Sequence, residues 1–248
     1  MATRNQTRVI GLAVVLGALL VSCQGSSTQD DTVSVEKTAN GDLMVHPVNH
    51  ASLRFAFKEK QYYVDPAGKA SWHDLPKADV IFITHQHGDH LDPAVIKLVK
   101  KSTVIVFANE NSVKAAGFGT AIHHGETKKV HDITATAVPA YNITPGRLRF
   151  HPIDRADNGY VLAFGGVRVY VAGDTEDIPE LKELKDIDIA FLPCNLPYTM
   201  DAEQCARAAR MFKPKVLYPY HQGRTDPNDV KRALADEKGI EVRVLKLP

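Results

Sequence analysis

Cysteine is scarce in this chain, and neither sign of charge is in excess. Beyond Cys23 only Cys194 and Cys205 remain, so at most one disulfide is available to the rest of the chain. Cys194 stands at an apparent strand end in FLPCNLP and Cys205 in the helix that follows. That arrangement permits pairing without requiring it, and two buried thiols are the simpler expectation. Thirty basic residues against 29 acidic ones leave a formal charge of +1. No basic face for nucleic acid is implied. Long apolar runs are also missing, except near the start. Residues 9–23, VIGLAVVLGALLVSC, follow Arg4 and Arg8 and are too few to span a bilayer stably, but they have the length of a signal-peptide core. The whole chain, at 44% hydrophobic and 24% charged residues, has the composition of one globular domain plus this leader.

Leu20, Val21, Ser22 and Cys23 resemble a bacterial lipobox, in which small residues precede a cysteine that is lipidated and becomes the mature N-terminus. This resemblance implies a lipoprotein signal peptide over 1–22, a lipid on Cys23, and an exported protein held on the cell envelope. Gln24, rather than Asp, after the cysteine favours the outer membrane in a host with two membranes, so the bacterial outer membrane or the periplasmic face is expected. Residues 24–40, QGSSTQDDTVSVEKTAN, are polar and unpatterned, so 23–40 reads as a flexible tether and 41–248 as the domain. Loss of 1–22 removes two arginines and no acid, which takes the formal charge from +1 to −1.

From Leu43 onward short β-rich runs alternate with helical patterns. LMVHPV, SLRFAFK and QYYVDP are spaced like hairpin strands, and ADVIFIT is a short buried run. DPAVIKLVKK predicts a helix with Asp92 as N-cap and Pro93 in its first turn. A second short helix is expected around Glu110 to Ala116, a third from Asp201 to Phe212, and a fourth from about Pro227 to Ala235. NGYVLAFGGVRVYVAGDT predicts a hairpin joined by Gly165 and Gly166, two residues suited to positive φ. Hairpin strands first and β-α-β order later point to two sheets covered by helices.

Directly after ADVIFIT, the stretch THQHGDHLD places His85, His87, Asp89 and His90 in one turn. Imidazole and carboxylate suit zinc, and also iron or manganese. One zinc ion would be satisfied by fewer groups, so the surplus points to two adjacent metals, His85 and His87 on one, Asp89 and His90 on the other. Asp174 in VYVAGDTE again follows an apolar strand, where a carboxylate could bridge two cations. His221 in VLYPYHQG repeats that placement.

These residues match the H-x-H-x-D-H motif of the metallo-β-lactamase-fold hydrolases, which the chain resembles from about Leu43 to its end. The resemblance implies an α/β (α+β) fold, a four-layer αββα sandwich with metals at one edge between two sheets. It implies Asp174 as the bridging carboxylate, His221 on the second metal, and Asp65 in YYVDP as a carboxylate behind the histidine loop. His151 in RFHPIDRADNGY precedes Asp174 by 23 residues and is taken as the third histidine of the first metal. The glycine that usually follows this histidine is missing. In the lactonase-like and phospholipase-D-like branch the histidine lies further upstream, where this chain has Ala140, Tyr141 and Asn142; His124 and His131 are weaker substitutes. His46, His50 and His73 fall outside the motif.

Two cations about 3.5 to 4 Å apart can hold a hydroxide between them at neutral pH and polarise a substrate oxygen. The resemblance therefore implies a hydrolase using such a hydroxide, with two divalent metal ions, Zn2+ first and Mn2+ or Fe2+ as alternatives. Asp89, which would orient the hydroxide, and His221 are the candidate catalytic residues; Asn158, Tyr198 and Tyr141 are neutral polar candidates nearby. HASLRF, VDP, AGDT and YPYHQG look closest to the lactonase-like and phospholipase-D-like branch, so an ester, lactone or phosphodiester in a small-molecule or lipid substrate is expected. Aspartate at position 174, where many true β-lactamases have cysteine, argues against that activity. The other class of function is a non-enzymatic, lipid-anchored protein that binds metal or an envelope partner on the same fold.

Overall fold

The computed structural model describes residues 34–245, together with Met1 and Ala2. Cys23 and the expected leader lie outside the described residues. Two seven-stranded sheets are built on the same plan. The first opens as an antiparallel meander, β1 (Ser34–Thr38), β2 (Gly41–Asn49), β3 (Ser52–Phe57) and β4 (Lys60–Val64), and continues in parallel through β5 (Ala78–Ile83), β6 (Lys100–Ala108) and β7 (Thr120–Ala121). Helices α1 (Pro93–Val99) and α2 (Glu110–Ala116) lie between successive parallel strands. The second sheet repeats the scheme. Antiparallel β8 (Thr127–Val130), β9 (Ile133–Ala140), β10 (Asp157–Phe164) and β11 (Val167–Val171) lead into parallel β12 (Ile189–Pro193), β13 (Val216–Tyr220) and β14 (Glu241–Val242), with α3 (Ala202–Phe212) and α4 (Pro227–Ala233) between them.

Alternation along the strands makes the layers. Phe55, Phe57, Tyr62, Val80 and Phe82 of the first sheet meet Tyr160, Leu162, Phe164, Val171, Phe191 and Tyr218 of the second in one buried core. Phe55 and Phe164 rings lie 5.5 Å apart, and Phe82 and Tyr160 rings 5.2 Å. The intervening residues turn outward. Tyr63, Ile81 and Ile83 pack under Val95, Ile96 and Val99 of α1, while Tyr170, Ala190, Leu192 and Leu217 pack under Cys205, Ala209 and Phe212 of α3. Both faces of the central strands are therefore buried, which is why they read as continuous apolar runs rather than alternating ones. The result is the expected four-layer αββα sandwich.

Local sequence sets the boundaries. Asp92 accepts hydrogen bonds from the backbone of Ala94 and Val95, and Asp201 forms a reciprocal cap with Gln204. Gly165 and Gly166 turn between β10 and β11 at φ 56° and 103°, with Phe164 paired to Val167. Three expectations shift. Strand β1 falls inside the stretch taken as tether, because Ser34–Thr38 finds an antiparallel partner in β2. Helix α1 stops at Val99, since Lys100 already has extended backbone and begins β6. Helix α4 ends at Ala233 rather than Ala235. Cys194 and Cys205 are free, buried thiols.

Candidate metal centre

Five strands end at one place. Asp65 follows β4, the histidine turn follows β5, and from the other sheet Asp174, Asn195 and His221 follow β11, β12 and β13. The ends of parallel strands are where an α/β sheet leaves a crevice. His151 arrives from the connection between β9 and β10. Three residues here hold left-handed backbone without being glycine: His50, Asp65 and His221 at φ 40°, 48° and 49°. Such conformations cost free energy and persist where surroundings impose them.

His85, His87 and His151 converge, each offering a nitrogen within 4.8 Å of the others, and His85 Nε2 stands 3.0 Å from His87 Nδ1. The second group is His90, His221 and Asp89. The Nε2 atoms of the two histidines are 2.9 Å apart, and His221 Nε2 is 3.4 Å from Asp89 Oδ2. Asp174 lies between the groups. Its Oδ2 is 3.2 Å from His151 Nε2, while Oδ1 is 3.5 Å from both His90 and His221. Oδ1 is buried and has no hydrogen-bond partner among the described residues. A buried carboxylate oxygen left this way, facing ring nitrogens, fits a site made for cations. All seven expected donors are thus brought together, His151 included, and neither His124 nor His131 joins them: His124 bonds the Asp157 carbonyl instead.

A layer behind these groups aims them. Asp65 is fully buried and receives hydrogen bonds from the Thr84 backbone at 2.7 Å and hydroxyl at 2.6 Å, with His90 Nδ1 at 2.8 Å. This holds His90 Nε2 toward Asp174. The Asn195 amide stands 2.8 Å from His221 Nδ1 and does the same there. The Arg155 guanidinium, gripped by Asp157, lies 2.9 Å from His87 Nε2 and 2.8 Å from His151 Nδ1. Thr84, Asn195 and Arg155 were not singled out in the sequence; the strand-end position of Asn195 was the one available signal. Of the neutral candidates, Tyr198 lines the pocket with Phe150, His50 and the donors. Tyr141 instead donates to Glu180, and Asn158 to the Ile122 carbonyl, because their strands and loops point them away.

Electrostatics follow from this packing. Burial, then neighbouring His90, holds His85 well below the usual imidazole range. Burial and the Arg155 charge lower His87 as well. For His90 burial is outweighed by Asp174 and Asp65, and its pKa rises to about 9. Burial would raise Asp174, yet His221 and His90 hold it well below the carboxylate range. An ionised Asp174 beside the neutral His85 and His87 offers donors that hard or borderline divalent cations take, whereas His90 must give up a proton to join them.

The description "Beta-lactamase superfamily domain" matches residues 45–221. The chain belongs to the beta-lactamase superfamily. This superfamily member is 31% identical over 193 residues to a UPF0173 metal-dependent hydrolase of Archaeoglobus fulgidus, covering 69% of the chain and 79% of that protein. It is 51% identical to the crystal structure of a candidate metal-dependent hydrolase from Parabacteroides distasonis, with TM-score 0.83 over 87% of this chain and 98% of that one. A metallo hydrolase from Ignicoccus hospitalis shares the fold, with TM-score 0.69, 24% identity, and coverage of 83% and 95%. The beta-lactamase superfamily protein described here is accordingly a metal-dependent hydrolase.

Proposed function

We propose that two divalent cations are held side by side, one by His85, His87 and His151, the other by Asp89, His90 and His221, with Asp174 shared between them. The observation that carries this reading is the division of the Asp174 carboxylate, one oxygen toward each group of nitrogens. Zn2+ is the first candidate for both, with Mn2+ or Fe2+ as alternatives. Bound there, the cations would lower the pKa of a water they hold and polarise the substrate's oxygen. Asp89, half exposed in the pocket lining, would orient the attacking water, and His221, held by Asn195, would keep its Nε2 toward the reacting centre. Asp65 acts through His90 and Thr84, without reaching the donor cluster itself.

The bond cut is an ester, lactone or phosphodiester. Ile143, Leu148 and Ile153 are exposed apolar side chains on the β9–β10 connection that also carries His151, and the exposed Tyr198 lines the pocket itself. Phe150 and Tyr198 pack edge to face at 5.0 Å at the mouth itself. This supports a small-molecule or lipid substrate with an apolar portion beside the scissile group. The leader supports residence on the cell envelope, through a lipid on Cys23, in the outer membrane or facing the periplasm. No described helix is long and apolar enough to cross a membrane.

Hydrolysis of a phosphodiester, a lactone, a carboxylic ester and a β-lactam should be measured in parallel, before chelation, after it, and after metal return, with bound metal counted at each stage. Turnover that tracks two equivalents of metal on one of the first three substrates is the expected result. Full activity with one equivalent, or turnover of the β-lactam alone, would overturn the reading.

A further inference from the structure

His50 stands in the turn between β2 and β3, outside the H-x-H-x-D-H motif. Its carbonyl accepts a hydrogen bond from the His221 backbone at 3.2 Å, and the two rings lie 4.1 Å apart. The imidazole is partly exposed to the pocket and makes no hydrogen bond to another described residue, yet its Nε2 points at Asp89 Oδ2 from 3.8 Å. That separation is too long for a hydrogen bond. It does suit two donors on one ion, since ligands at about 2.0 to 2.2 Å from a common cation stand roughly 3 to 4 Å apart. His50, Asp89 and His221 each offer an atom within 4.8 Å of the other two. Positive φ at His50 belongs to the two-residue turn that joins the paired Asn49 and Ser52, and that turn, bonded through its backbone to His221, sets the imidazole beside two donors.

We propose that His50 is a further ligand of the second cation, closing the open side of Asp89 and His221. The inference rests on the two-cation reading. It makes the pair unequal: four protein donors surround the first site, Asp174 included, and five the second. The second site then moves away from tetrahedral coordination toward the five or six ligands that manganese or iron takes readily.

Co2+ titration of the metal-stripped full chain tests this, followed by its visible absorption and by equilibrium dialysis. His50→Gly and His50→Asn are the variants, because both residues tolerate left-handed backbone. The wild-type chain should take two equivalents. In both variants the first equivalent should bind as before, and the second at least tenfold more weakly, with stronger absorption as its coordination number falls. Added imidazole should restore the wild-type spectrum to His50→Gly. Should the glycine variant not fold, His50→Asn decides alone. A second equivalent that binds with wild-type affinity and spectrum in the folded variants overturns the inference and leaves the two-cation reading standing, as does equal weakening of both equivalents, which would mark His50 as structural. A wild-type chain that takes only one equivalent brings down both.

Discussion

At the scale of single residues, Asp174 concentrates the chemistry. It is almost fully buried, ionised, and has no neutral group to satisfy Oδ1. Asp174→Asn keeps the shape and removes the charge shared by both donor groups. Hydrolysis should fall by roughly a thousandfold or more, with one equivalent of metal lost and the far-UV spectrum unchanged. Asp65→Asn should be milder, about 10- to 100-fold in metal affinity, because Asp65 touches only His90 and Thr84. His90 also sets a pH dependence. Its folded pKa, about 9, lies above the ordinary value of 6.5. In the metal-free chain its proton adds stability that is complete below pH 6.5 and lost as pH rises through about 9. A cation must displace that proton, so apparent metal affinity should climb about tenfold from pH 7 to pH 8. Titration calorimetry showing equal affinity at the two pH values would refute this assignment.

At the scale of elements, the turns after the strands are the sensitive parts. Gly173 links β11 to Asp174 at φ 64°, and a Cβ there would come within 2.8 Å of the Asn158 carbonyl and 3.0 Å of Thr84. Gly173→Ala should cost about 1 to 2 kcal/mol for the left-handed backbone alone. It should also weaken metal binding, because Gly173 itself carries Asp174 and the displaced Thr84 carries the histidine turn. Phe191 of β12 offers a contrast. It packs between the sheets against Phe55, Tyr218 and Tyr220. Phe191→Ala should lower the unfolding free energy by about 3 to 5 kcal/mol while leaving metal stoichiometry of the folded fraction intact. Equal loss of stability and stoichiometry in both variants would mean that the donor turns and the core are not separable.

For the whole molecule, the donors come from both sheets, His85 to His90 from one and Asp174 and His221 from the other. On the proposed two-cation reading, metal bound there would tie the sheets together, so a chelator should lower the melting temperature. Metal at a hundred times its Kd adds about 2.7 kcal/mol, which at this chain length corresponds to roughly 5 to 10 °C. A melting curve that ignores chelation would argue against a cation between the sheets. Envelope attachment is tested separately: Cys23→Ser should move the protein from the membrane fraction to the soluble one without changing its hydrolytic activity.

The sequence by itself determined most strand runs, the helix caps, the glycine hairpin and six of the seven candidate donors, because each depends on neighbours in the chain: apolar runs buried on both faces, Asp92 and Asp201 before their helices, and ligand-type residues directly after a strand. It also carried the superfamily, since H-x-H-x-D-H packs most of the site into one turn. What it left open depended on residues far apart in sequence. His151 lacked the glycine that usually follows it, and only the meeting of the β9–β10 connection with β11 brings it to Asp174. Strand β1 was polar and patternless until β2 gave it a partner. His50 lies outside the H-x-H-x-D-H motif, and nothing local to Thr84, Asn195 or Arg155 shows which histidine each will hold. A side chain's chemical type is written in one position, but its direction and its partners are fixed only when two sheets close over a common core and bring five strand ends to one place.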